Sequence, residues 1–247
     1  MVATSPPTLP ETQYTARGEW LAGVRDTLPL MLGSAPFGLI FGASAVIGGL
    51  SPLAAALMSV LVFAGSSQFI GARLYATAAP VPIIILTTLV VNLRHALYSA
   101  TLGPAYRRLK PAWLAALAFF LTDETFAIVV SYEQRHPSSP YRHLYQMGSS
   151  IAMYLNWNLW TWVGIVAGTS LSGIAQLGLD FAMVVTFIGI VVPLVVNRPL
   201  LASAAAAGVA ALLTYSLPHN LYLMIAAFVG VAVGMFVEKQ GDRNDDQ

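Results

Sequence analysis

Residues 89–100, LVVNLRHALYSA, place Asn92, Arg94 and His95 within four positions of a long apolar run. A charge at mid-bilayer depth costs about 2.5–3.5 kcal/mol on insertion scales, so it needs a partner or a polar cavity. Arg94 precedes the polar loop at 103 by about nine residues, roughly 13 Å of helix and too deep for simple snorkelling. Residues 119–129, FFLTDETFAIV, carry Asp123 and Glu124 about twelve residues after that loop, roughly 18 Å of helix. Two apolar segments joined by a short connection run antiparallel, so the basic and acidic pairs are expected at similar depth. Neighbouring helix positions point about 100° apart, so one member of each pair can face its partner while the other faces a cavity. Two readings follow. In one, Arg94 with Asp123 or Glu124 is a salt bridge that only locks two helices. In the other, Arg94, Asp123, Glu124 and Asn92 hold a charged substrate while His95 or Glu124 carries a proton through a transport cycle.

Further features favour a polar cavity. GSAPFG at 33–38 sets Pro36 between two glycines, where the missing amide is expected to kink or break a helix beside Phe37. FAGSSQF at 63–69 gathers Ser66, Ser67 and Gln68 at the end of an apolar run. An unwound segment there presents free amides and a partial positive charge to an anion such as a carboxylate. YLNWNLWTW at 154–162 interleaves Asn156 and Asn158 with three tryptophans, which read as an aromatic belt. The pairs Gly38/Gly42, Gly164/Gly168 and Gly230/Gly234 are G-x-x-x-G spacings that let helices approach closely; the last pair could instead meet a partner subunit. Asp180 and His219 read as solvated span ends.

These groups sit in a chain that is 57% hydrophobic and 9% charged, with a mean hydropathy of +0.70. A soluble domain carries about a quarter charged residues. The expected fold is therefore an all-α, polytopic membrane helix bundle of about seven or eight spans. Apolar segments fall near 27–47, 51–72, 81–102, 112–132, 149–171, 179–197, 200–216 and 219–237. Gly/Pro-rich breakers separate them, and some spans are expected to be broken or re-entrant. Residues 1–18 read as a disordered tail and 238–247 as a polar tail around a single transmembrane transporter domain at 19–237. Arginine placement favours a cytoplasmic N-terminus. GLIFGAS at 38–44 and GIVAGTS at 164–170 are consistent with a half-chain repeat, and equally with chance recurrence of small residues. With no cysteine, disulfides, thiolate metal sites and cysteine nucleophiles are excluded, and a net charge of +1 makes no case for nucleic acid. No metal or cofactor is expected.

Taken together, PFGLIFG, GLSPLAAALMSVLVFAGSSQF, NLRHALY and LTDETFA resemble the AzlC family, the large subunit of branched-chain amino acid exporters. The resemblance runs from about residue 20 to 237 and is looser in the second half. It implies export of leucine, isoleucine, valine and sometimes methionine across the bacterial cytoplasmic membrane by a multi-pass protein. It also implies a small hydrophobic second subunit of the AzlD type and an ion gradient as the drive. The chain carries no phosphate-binding G-x-x-x-x-G-K-[ST] loop. Three other classes compete with this reading: a passive channel or facilitator, an intramembrane enzyme and a scaffold for a partner. The enzyme lacks its H-E-x-x-H and G-x-S-x-G signatures, so the chain is expected not to be one. A scaffold would tolerate apolar residues at the buried charges.

Overall fold

The structure, a computed structural model, describes residues 14–170, 195, 197–217 and 221–245. Among them are nine helices and no strand: α1 (Ala16–Ile47), α2 (Pro52–Leu61), α3 (Gly65–Ala76), α4 (Val81–Tyr106), α5 (Pro111–Phe119), α6 (Asp123–Arg135), α7 (Arg142–Ser170), α8 (Arg198–Thr214) and α9 (Leu221–Asp245). The segment expected at 179–197 lies almost wholly outside the described residues, as do Asp180 and His219. By length and composition, α1 and α4 are long and apolar enough to cross a membrane.

The starts of α2, α4, α5 and α8 coincide with Gly/Pro-rich breakers in the sequence. Ser51 caps α2 by accepting from the Ala54 amide at 3.1 Å, and Pro52 follows it, where a missing N–H costs nothing. Asn197 caps α8 in the same way, accepting from the Leu200 amide at 2.9 Å. Two of the expected spans are each split into two helices. Residues 62–64 separate α2 from α3, and residues 120–122 separate α5 from α6. Pro36, by contrast, does not break α1, which stays helical from Ala16 to Ile47. The proline withdraws the donor for the Leu32 carbonyl. One carbonyl earlier, Met31 accepts from the Asn156 side-chain amide at 3.0 Å, so the weakened turn is held from outside.

The chain divides into two compact units. The first takes the chain up to Leu32 with Leu97–Asn156; the second takes Gly33–Ala96 with the chain from Trp157. Long helices α1, α4 and α7 therefore contribute a part to each, and each unit holds one broken pair.

In the first unit α1 and α7 run parallel in close contact. A side chain on Gly23 would strike the Tyr145 carbonyl, and one on Gly148 would strike the Trp20 carbonyl. Thr27 Oγ1 donates to the Gly23 carbonyl and meets Ser149 Oγ, each at 2.7 Å. Leu102, Tyr106, Leu117, Leu121, Val129, Tyr132 and Tyr145 form the apolar core. The Tyr132 and Tyr145 rings stack at 3.7 Å, and the Tyr132 hydroxyl donates to the buried Glu19 carboxylate.

In the second unit the same two helices continue side by side: Gly38 lies against Trp157 and Trp160, Gly42 against Thr161 and Ile165, and Gly168 against Val46 and Ala43. Gly164 meets the Leu39 carbonyl in return. GLIFGAS and GIVAGTS are thus two faces of one helix contact. Helices α8 and α9 form an antiparallel pair in which Gly230 meets Ala207 and Ser203, and Gly234 meets Ser203 and Pro199. The last glycine pair therefore serves packing within the chain.

Gly42→Ala and Gly164→Ala are expected to lower unfolding free energy in mixed micelles by roughly 1–3 kcal/mol, the range for overpacking a close contact. Gly33→Ala and Gly208→Ala, where an added methyl meets nothing within 4 Å inside a helix, should not lower it and should raise it by up to about 1 kcal/mol.

Candidate functional site

In the break between α2 and α3, Phe63 and Ala64 are buried. Phe63 takes a left-handed backbone conformation, with φ of 43°, that a bulky residue rarely adopts. It is held there with its side chain 3% exposed. The N-cap of α3 is Ala64, which has no side-chain oxygen to cap the helix. The first turn, Gly65, Ser66 and Ser67, thus presents its amides and the positive end of the helix dipole with no side-chain cap.

Arg94 on α4 reaches this end. Its Nη2 donates to Ser66 Oγ at 3.3 Å. One turn around, His95 Nδ1 lies 3.2 Å from the Asn92 carbonyl. Ser67 and Gln68 are completely buried, and neither the Ser67 hydroxyl nor the two polar atoms of the Gln68 amide has a hydrogen-bond partner among the described residues. The same holds for Asn92 Oδ1. A buried polar group left so costs roughly 1–3 kcal/mol. Such a cluster is accounted for when water or a polar ligand completes it.

Aromatic rings wall the same unit. Phe41 meets Phe69 edge-on at 5.6 Å and stacks on Trp157 at 6.3 Å. The Trp157 ring covers Gly65, where a side chain would come within 3.0 Å of it. Trp157 is 8% exposed, so the belt expected from the sequence does not hold for this residue. Its neighbour Asn156 serves the α1 backbone. Pro36 and Phe37 lie on α1 in this unit, Pro36 exposed and Phe37 half-buried.

The structure therefore assembles Ser66 with Arg94, and sets Ser67, Gln68, Asn92, His95, Phe37 and Phe69 in the same unit. Asp123 and Glu124 belong to the other unit, and their pairing with Arg94 stays an expectation from sequence. Their local setting differs from the one the sequence implied. They do not sit within a continuous span but open α6, behind the break at 120–122. Thr122 caps this helix, accepting from the Thr125 amide at 3.4 Å, and acidic side chains in a first turn are favoured by the dipole. Among the described residues no three His, Asp or Glu side chains gather as a metal site would require.

An apolar chain, helical in the elements described and with buried polar groups at an interrupted helix, has the build of a membrane protein. It belongs to the AzlC family: the family model described as AzlC protein matches residues 29–171, more than half of the chain. Among curated relatives, the inner membrane protein YgaZ of Escherichia coli is 29% identical over 62% of this chain and 62% of its own length. An uncharacterized membrane protein of Archaeoglobus fulgidus is 32% identical over 60% of this chain and 63% of its own. The branched-chain amino acid transport protein AzlC of Bacillus subtilis is 28% identical over 66% of this chain and 62% of its own. The chain thus spans about three fifths of the length of these relatives. No solved structure matches it.

Thr122→Ala is expected to destabilise the protein by about 1 kcal/mol, the usual worth of an N-cap, whereas Thr122→Ser retains the hydroxyl and the stability. Unfolding in mixed micelles measures both.

Proposed function

We propose that this chain is the large, substrate-handling subunit of an ion-gradient-driven exporter of branched-chain amino acids in the bacterial cytoplasmic membrane. Leucine, isoleucine, valine and, by family resemblance, methionine are its substrates, and a small hydrophobic subunit of the AzlD type is its partner. The observation that carries the reading is the start of α3, which has no side-chain cap, has Arg94 hydrogen-bonded to Ser66, and has Ser67 and Gln68 buried beside it. The Bacillus subtilis relative, a branched-chain amino acid transport protein by name, supports the substrate class.

The substrate carboxylate is received by the Arg94 guanidinium and the first-turn amides of α3, with Ser66, Ser67, Gln68 and Asn92 supplying the remaining hydrogen bonds. Its aliphatic side chain rests on Phe37, Phe63 and Phe69, beside the turn of Pro36. Asp123 and Glu124 are assigned to the ammonium group by residue type. With the Asn92 carbonyl accepting from Nδ1–H, His95 takes up and releases a proton at Nε2, and Glu124 is the second candidate for that step.

Efflux of preloaded labelled leucine tests the proposal, measured with and without the small subunit and with and without a proton uncoupler. Partner-dependent efflux that the uncoupler abolishes is expected. Efflux that ignores the uncoupler would mark a passive facilitator instead. Arg94→Ala should slow efflux by roughly ten- to hundredfold, the worth of a charge-assisted hydrogen bond of about 1.5–3 kcal/mol. If folded Arg94→Ala and Glu124→Gln proteins both export normally, the site is misplaced.

A further inference from the structure

A second cluster of charge lies in the first unit, and none of its residues is among those assigned above. An open cavity of about 510 Å³ is lined by Arg25, Asp26 and Pro29 of α1, Ile128 and Arg135 of α6, and Tyr145 of α7. Its geometry is fixed by the core. Tyr145 is completely buried and stacked on Tyr132, and its hydroxyl donates to Asp26 Oδ2 at 2.9 Å. The other carboxylate oxygen of Asp26 lies 3.7 Å from Arg25 Nε. Across the cavity, Arg135 Nε donates to the Ser131 carbonyl of its own helix at 3.1 Å, which turns the guanidinium back along α6. The cavity thus combines two guanidinium groups, one oriented carboxylate and an apolar wall of Pro29 and Ile128.

This set of groups selects a ligand class. Two arginines alone would suit a phosphate or the headgroup of an anionic lipid. A carboxylate held among them disfavours a purely anionic group and supplies a partner for a cation. A guanidinium, a carboxylate and an aliphatic surface around one small space match a zwitterion with an apolar side chain. We propose that this cavity is a second amino acid site, in which Arg135 receives the substrate carboxylate, Asp26 the ammonium group, and Pro29 and Ile128 the side chain. The assignment rests on the substrate class proposed above but not on the placement of the α3 site. With the N-terminus cytoplasmic, as the arginine distribution favours, residues 25–29 lie towards the inner end of α1. The site is then a loading position that captures substrate from the cytoplasm before it moves to α3.

The test is saturation binding of labelled leucine to the full-length protein, purified together with its small subunit. Wild type, Arg94→Ala, Arg135→Gln, Asp26→Asn and the Arg94→Ala/Arg135→Gln double variant are compared. Asp26→Asn keeps an acceptor for Tyr145, so the local fold survives. Two leucines per chain are expected in wild type, one in Arg94→Ala and one in Arg135→Gln, and none in the double variant. Asp26→Asn should weaken one of the two sites by about tenfold or more. Leucinamide, which lacks the carboxylate charge, and 4-methylpentanoate, which lacks the ammonium, should fail to compete at the site that remains in Arg94→Ala. One leucine in wild type, lost in Arg94→Ala and untouched by Arg135→Gln and Asp26→Asn, would overturn the second site and leave the α3 site standing. A single leucine lost only in Arg135→Gln would keep this site and displace the other. Unchanged leucine binding in Arg135→Gln, with loss of co-purified phosphatidylglycerol, would make the cavity a lipid site and overturn the proposal. No leucine binding by any form would overturn the substrate class itself, and this site with it.

Discussion

A bilayer offers no water to a broken helix, so every interruption of a span must be completed by the protein itself. This chain interrupts two of its apolar segments, and the two breaks are completed by different means. At 120–122 the chain does the work locally. Thr122 caps α6, and Asp123 and Glu124 set their negative charge at the positive end of the helix. At 62–64 there is no such cap. Ala64 contributes no side-chain oxygen, Phe63 has a left-handed backbone conformation, and Ser66 in the first turn of α3 accepts from Arg94. One break is closed by its own sequence. The other has no side-chain cap of its own and is met by Arg94 from a different helix.

The second break is tenable only inside a rigid wall, and the contact between α1 and α7 provides one. Glycines on both helices bring the backbones together, so that Gly42 rests on Thr161 and Gly164 on Leu39. The same face of α7 carries Trp157, whose ring lies over Gly65 at the start of α3 and stacks on Phe41 of α1. The small residues that permit close approach thus also fix the large ring that roofs the polar cluster. Above the glycine face, Asn156 donates to the Met31 carbonyl, one residue from the carbonyl that Pro36 leaves without its amide.

Much of this was legible in the sequence, and the limits have physical causes. The Gly/Pro-rich breakers lie at the starts of α2, α5 and α8 because the constraints of glycine and proline are local. The polar end at Ser66–Gln68 and the cation at Arg94 were legible because such groups are rare in apolar runs. That α1 stays helical through Pro36 was not legible, since the donor beside that turn, Asn156, lies 120 residues away. Trp157 was read as part of a belt because tryptophan is common at membrane surfaces. Its spacing of seven from Gly164 and eleven from Gly168 placed it on the packing face, a signal that periodicity alone carried. The break before Asp123 was hidden in FFLT, which contains neither glycine nor proline. The cavity beside Arg25, Asp26 and Arg135 was invisible because three separate helices build it.

The pairing of α1 with α7 also bears on how the chain is made. The partner of Gly23, Thr27 and Met31 is a helix synthesised more than a hundred residues later. At roughly 5–20 residues per second, α1 waits in the membrane on the order of ten seconds before α7 emerges. Throughout that interval its glycine face, the Thr27 hydroxyl and the Glu19 carboxylate have no α7 or Tyr132 to cover them. The nascent protein is therefore a late-closing structure, whose first helix depends on the insertion machinery or on temporary neighbours until the fifth apolar segment arrives to complete it.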